Sequence, residues 1–74
     1  MKDLHPDSST GLRILRRKEV EAIVGLSRSS IYELIARKQF PAPIKLGLRS
    51  VGWLRHEVVA WLEAQVLASR KVAA

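Results

Sequence analysis

A short polar run in the middle of the chain contains the side chains best suited to chemistry. Arg28, Ser29 and Ser30 follow one another, and Tyr32 comes two positions later. An arginine can bond a guanine edge or a phosphate, and hydroxyls near a helix N-terminus can donate to phosphate oxygens. Tyr32 can reach a phosphate or stack at a base edge. This run therefore predicts a helix whose N-terminal end enters the major groove of DNA.

Each of these side chains also has a purely structural interpretation, which the sequence leaves open. Arg28 could be an exposed arginine of the first helical turn. Ser29 and Ser30 could serve local bonding where a helix begins, and Tyr32 could be a partly buried aromatic residue.

Basic residues elsewhere in the chain extend the expected contact surface. Lys45 and Arg49 lie on either side of a turn at Gly47, where they can contact the DNA backbone or simply keep an exposed hairpin soluble. Arg17 and Lys18 belong to a basic cluster with Arg13 and Arg16, which is either a phosphate-binding surface or a solvated helix start. Lysine and arginine number 13 against 7 acidic residues, giving a net charge of +6 that favours a polyanionic partner.

Two short helical patterns position the polar run. Apolar residues recur at helical spacing on both sides of a tight turn, at Val20, Ile23, Val24, Ile31, Leu34 and Ile35. Gly25 can adopt the positive φ of a sharp helix exit, Leu26 can fill the corner, and Ser27 can cap the second helix. The sequence therefore predicts a helix-turn-helix.

The flanking segments predict a wing and a third helix. Leu12 to Leu15 is expected to be extended, and the first helix to begin at Arg16 or Arg17. The second helix runs from about Arg28 to Arg37 or Lys38, before Pro41 and Pro43. Alternating residues from Ile44 to Trp53 predict a β-hairpin, and a last helix is expected from about Arg55 to Ser69.

The predicted fold class is mainly α with a small β-hairpin, a winged helix-turn-helix. Residues 1–11 read as a flexible leader, 12–69 as the DNA-binding domain and 70–74 as a tail. Trp53 and Trp61 are expected in the core, because a domain of 74 residues needs large side chains to close it.

Composition makes several other classes poor candidates. The chain has no cysteine, and its histidines, His5 and His56, lie far apart without carboxylates grouped around them. We therefore expect no metal site and no cofactor, and no nucleophile motif suggests an enzyme. No apolar run approaches the ~20 residues that cross a bilayer. The expected location is cytoplasmic, with nucleoid association when bound to DNA.

At three segments the sequence resembles the AlpA family of small prophage and mobile-element regulators, relatives of excisionases and of MerR-type winged domains. These segments are GLSRSSIY, FPAPIKLG and VGWLRHEVVAWL, and the resemblance extends from Leu15 to about Gln65. It implies transcriptional control of integrase or excision genes, with double-stranded DNA and then RNA polymerase or an integrase as partners.

Two alternatives stay open alongside that regulator. The protein could be a recombination directionality factor that bends attachment-site DNA, or a protein-interaction adaptor such as an antirepressor whose basic face is incidental. Dimeric or tandem binding is expected because one domain of this size covers little DNA.

Overall fold

The chain folds into three helices and a small antiparallel sheet, seen in a computed structural model that describes residues 12–73 and side chains as far as Lys71. The predicted leader at 1–11 and Ala74 lie outside the described residues. In chain order the elements are β1 (Ile14–Leu15), α1 (Arg17–Val24), α2 (Arg28–Ala36), β2 (Ile44–Lys45), β3 (Val51–Leu54) and α3 (Arg55–Ala73).

The turn between α1 and α2 has the predicted geometry. Gly25 is left-handed with a φ of 74°, and its amide donates to the carbonyl of Glu21 at 2.8 Å. Ser27 precedes α2, and its hydroxyl oxygen accepts from the amide of Ser30 at 3.2 Å. These local bonds satisfy backbone groups that helix ends leave free, so they fix where each helix ends and begins.

The end of α2 is set by a residue that the sequence did not single out. Lys38 has a φ of 60°, a conformation that usually favours glycine. Its amide donates to the carbonyl of Ile35 at 2.9 Å, and the amide of Gln39 donates to that of Leu34 at 2.8 Å. This is a Schellman motif with lysine in the left-handed position. The helix therefore ends at Ala36, slightly before the predicted end.

The predicted hairpin is present, but it belongs to a three-stranded sheet of order β1-β3-β2. On one side of β3, Leu15 pairs with Trp53, and on the other Ile44 pairs with Gly52. The segment from Leu12 to Leu15, which was expected to be extended, contributes β1 to this sheet. We call β2, β3 and the loop between them the wing. The whole is a winged helix-turn-helix, as predicted.

The core gathers side chains from all the helices and from the sheet, namely Leu15, Val20, Ile31, Phe40, Trp53 and Val58. Trp53 is fully buried, and its indole Nε1 donates to the carbonyl of Pro41 at 2.9 Å. Trp61 is only partly buried. Its ring packs edge-on against Phe40 and its Nε1 donates to the carbonyl of Gln39 at 2.7 Å. Trp53 therefore lies at the centre of the core, whereas Trp61 packs at its edge.

Helix α3 is longer than predicted. It continues past Ser69 to Ala73, so Arg70 and Lys71 are helical rather than part of an irregular tail. Residues 63–71 are all exposed, so the second half of α3 does not pack against the core. Within residues 12–73, no helix is both long and apolar enough to cross a membrane.

Gly52 occupies a crowded position in the sheet, between β1 and β2. A Cβ built there would lie 2.5 Å from Cγ2 of Ile14 and 3.1 Å from the carbonyl oxygen of Leu15. Gly52→Ala should therefore destabilise the protein by ~1–3 kcal/mol, the usual range for overpacking. Chemical denaturation measures this, with Gly47→Ala as the matched control, because a Cβ at Gly47 meets nothing within 4 Å. Equal losses in both variants would contradict close packing at Gly52.

Candidate nucleic-acid interface

Three separate segments of the chain line one open groove of about 410 Å³. Its lining residues come from the start of α1, the first turns of α2 and the wing, and are Arg16, Arg17, Lys18, Arg28, Tyr32, Arg49 and Val51. We call this set the basic groove. Five of its members are cations and none is an acid. Like charges lining a concave surface concentrate a positive potential there, which suits a phosphate backbone.

The groove unites most of the residues predicted from the sequence. Arg17, Lys18, Arg28, Tyr32 and Arg49 are all in its lining. The remaining three predicted contacts, Ser29, Ser30 and Lys45, are not in the lining.

Arg28 is supported by an aromatic stack that reaches the core. Its guanidinium carbon lies 5.9 Å from the centroid of the Tyr32 ring, one helical turn further along α2. That ring contacts the buried Trp53 edge-on, with centroids 6.2 Å apart. A cation over an aromatic face is attracted by the ring quadrupole, so Tyr32 holds Arg28 at the groove. Tyr32 is 37% exposed, and is thus at once a partly buried aromatic and a groove residue.

The two serines differ in what their hydroxyls do. The Ser27 hydroxyl donates to Oγ of Ser30 at 3.1 Å, while the Ser30 amide donates back to Oγ of Ser27. Ser30 is therefore used in the local cap, which supports its structural interpretation. Ser29 is exposed on the first turn of α2, where a phosphate could reach it.

The cations of α1 have distinct local roles. Arg17 forms an ion pair with Glu21 one turn later, so its charge is partly compensated within the helix. Lys18 is exposed. No separate role for Arg16 within the basic cluster was predicted from the sequence. Its Nε donates to the carbonyl of Val51 at 3.1 Å, which ties the start of α1 to the wing.

A local signal for Arg16 was available in the sequence. Glu19 lies three positions after Arg16, and its carboxylate accepts from the Arg16 amide at 2.8 Å. A glutamate at this spacing is typical of a helix start, which makes Arg16 the residue before the helix. Its side chain is then free to turn back toward the sheet.

The two cations of the wing differ in position, since Lys45 lies in β2 and Arg49 lies in the loop. Arg49 lies in the loop that is closed by the bond from the Leu46 amide to the Ser50 carbonyl at 2.8 Å. Lys45 pairs with Val51, and residues directly opposite in a sheet share a face, so Lys45 continues the groove side of the wing. Leu48 at the tip is 100% exposed.

Metal binding finds no support in the described part of the chain. Among residues 12–73 there is no group of three or more His, Asp or Glu side chains that could hold an ion.

Comparison with known proteins identifies related chains. Residues 13–66 match the family model described as Prophage CP4-57 regulatory protein (AlpA). An uncharacterised protein, ORF88, of Enterobacteria phage P4 is 49% identical over 59 residues, covering 80% of this chain and 66% of that protein. The DNA-binding transcriptional activator AlpA of Escherichia coli K12 is 34% identical over 62 residues, covering 76% of this chain and 89% of that protein. This chain thus spans just under two thirds of the phage P4 protein. No solved structure matches significantly.

The stack predicts that the ring of Tyr32 matters for stability and its hydroxyl does not. Within residues 12–73 the hydroxyl has no hydrogen-bond partner, whereas the ring contacts both Arg28 and Trp53. Tyr32→Phe should leave the free energy of unfolding within ~0.5 kcal/mol of wild type, and Tyr32→Ala should lower it by ~1–2 kcal/mol. Urea denaturation followed by tryptophan fluorescence measures both, and equal effects would show that the ring does not pack on Trp53.

Proposed function

Since the chain belongs to the AlpA family of prophage regulatory proteins, we propose that it is a sequence-specific, double-stranded DNA-binding transcriptional regulator of a prophage or integrative element. The observation that carries the proposal is the basic groove. Segments far apart in the sequence place cations around one concave surface that also contains the exposed start of α2. Basic residues that served only solubility would not need to lie around one concave surface.

The proposed binding mode follows from the elements that form the groove. The N-terminal turns of α2 enter the major groove of DNA, where Arg28 reads a guanine edge or registers a phosphate. Arg17 and Lys18 meet the backbone that α1 crosses, and Ser29 adds a hydroxyl contact. Lys45 and Arg49 hold phosphates of the DNA backbone beside the major groove. The aromatic stack under Arg28 limits its movement, so less side-chain entropy is lost when it binds.

The proposed biological role is control of promoters near integrase or excision genes. The Escherichia coli relative is a DNA-binding transcriptional activator, which favours a role at promoters. RNA polymerase or an integrase is the further partner that this role would involve. The protein would work in the cytoplasm, associated with the nucleoid when bound, and no step in this role requires catalysis.

A second candidate is a recombination directionality factor that bends DNA. The fully exposed Leu48 at the tip of the wing favours it, because apolar side chains at a minor groove can wedge base steps apart. Measuring the bend angle of a bound duplex by fluorescence energy transfer separates the two, since a simple regulator need not bend its site strongly. An adaptor with an incidental basic face would instead show no salt-sensitive binding to duplex DNA.

Arg28 provides the direct test of base reading. Arg28→Ala should weaken binding to a selected site by ~1–3 kcal/mol and relax the preference at one base position. The helix should persist, because the side chain is exposed and its neighbour Ser27 caps α2. Binding is measured by fluorescence anisotropy on cognate and singly substituted duplexes, with circular dichroism as the folding control. Identical base preferences in mutant and wild type would remove Arg28 from the reading surface.

The wing provides the test of backbone contact. Each phosphate contact adds about 0.9 to the slope of log affinity against log salt. Lys45→Ala combined with Arg49→Ala should therefore flatten that slope by about two and weaken cognate and scrambled duplexes alike.

The charge-matched control for the wing variant is Lys38→Ala combined with Lys71→Ala. Both of these lysines are exposed, and neither lines the basic groove. The control should change the slope far less than the wing variant. Equal slopes in the two double variants would mean that overall charge, and not the wing, sets the affinity.

A further inference from the structure

The second half of α3 carries an uncovered apolar stripe. Val66 is 41% exposed and Leu67 is 68% exposed, and with Leu62 and Glu63 they line a shallow apolar depression on the helix surface. The first half of the helix packs on the core through Val58 and Trp61. Leu67 comes nine positions after Val58, which is about 180° around the helix, so the stripe lies on a different side of α3 from the packed face. Residues 12–73 leave much of this side exposed.

A helical extension of this kind gains little from its own chain. Short helices are marginal in water unless an apolar face packs against something. In α3 the packed half provides the nucleus, but residues 63–71 are all exposed. An apolar stripe maintained through this extension is best explained by a surface that covers it.

The charges around the stripe indicate what that surface is. Glu63, Val66, Leu67 and Arg70 are spaced at i, i+3, i+4 and i+7, so they share one face of the helix. An acid and a base therefore flank two apolar residues symmetrically. Within residues 12–73, neither Glu63 nor Arg70 has an ion-pair partner, and the ~10 Å of helical rise between them keeps them from pairing with each other.

We propose that α3 is a homodimerisation helix, which packs antiparallel against α3 of a second copy. The two-fold axis passes between Val66 and Leu67, so that each Val66 faces a Leu67 of the other copy. The same axis brings each Glu63 to an Arg70 of the other copy. A self-complementary patch of this type is what a two-fold interface requires. A parallel pair would instead place Glu63 beside Glu63 and Arg70 beside Arg70, so charge selects the antiparallel arrangement.

The dimer leaves the DNA surface free. None of the residues in the stripe lines the basic groove. Two copies joined through α3 would carry two recognition helices related by a two-fold axis, as inverted half-sites require. The contact between two short helical segments is below the ~1,000 Å² of a stable interface, so the dimer is weak in solution and is strengthened when both copies bind one DNA molecule.

Charge reversal tests the proposal on the whole 74-residue chain without DNA, so the result does not depend on the proposed function. Sedimentation equilibrium from ~10 µM to ~1 mM, a range that suits a small interface, should show a monomer–dimer equilibrium for wild type. Glu63→Arg alone and Arg70→Glu alone should each weaken association by ~10-fold or more, because each places like charges in contact twice. The double variant, which keeps the wild-type net charge, should dimerise like wild type.

The decisive sample is an equimolar mixture of the two single variants. In the antiparallel arrangement the Glu63→Arg chain offers two bases on this face and the Arg70→Glu chain offers two acids, so every cross-helix pair becomes attractive. Association should return in the mixture. Ala68→Glu and Ala68→Arg, on the opposite side of the same helix, are controls for charge alone and should behave like wild type. Circular dichroism should show that every variant keeps its helices, since the changed side chains are exposed.

Three outcomes would overturn the proposal. Wild type could sediment as a monomer throughout the concentration range, or it could dimerise while the mixture of single variants stays dissociated. The third is a monomer whose stripe variants lose binding to RNA polymerase, which would assign this face of α3 to that partner.

Discussion

The rest of the fold depends on the complete burial of Trp53 in the middle of the sheet. As part of β3 it pairs with Leu15 of β1, and its indole nitrogen donates to the carbonyl of Pro41 in the connection after α2. Its ring also meets Tyr32 of α2. One side chain therefore fixes the sheet, α2 and the connection between them. The burial of so large a side chain, with its polar atom satisfied, is strongly stabilising. The position of the wing relative to α2 follows from it.

Features set by neighbouring residues could be predicted from the sequence, and features set by distant ones could not. The helix-turn-helix was predictable because Gly25 and Ser27 determine their conformations locally. The pairing of β1 with β3 was not, since nothing in a two-residue strand indicates its partner. The left-handed Lys38 was missed for another reason. Lysine is a poor indicator of that conformation, and only the capping bonds of Ile35 and Leu34 reveal it.

The candidate site shows the same division. Residue type and position in a helix or hairpin turn pointed to Arg28, Lys18 and Arg49, and the fold brings them to one groove. Sequence could not separate Ser29 from Ser30, because the choice between a local cap and a free hydroxyl depends on rotamers. It also could not show that Arg16 bonds to the wing, since that contact joins residues 35 positions apart. Charge and spacing therefore identify the surface, while tertiary contacts decide the task of each side chain.

The basic groove has an energetic consequence for the free protein. Five cations lie around one concave surface whose lining contains no acid, although Glu21 partly compensates Arg17, so folding brings like charges together. The unbound domain accordingly holds electrostatic repulsion in its native state. Any polyanion that enters the groove relieves this repulsion, and a ligand that prefers the native state raises its stability. Binding and folding are thereby coupled, and the domain gives up part of its own stability in isolation for readiness to accept its partner.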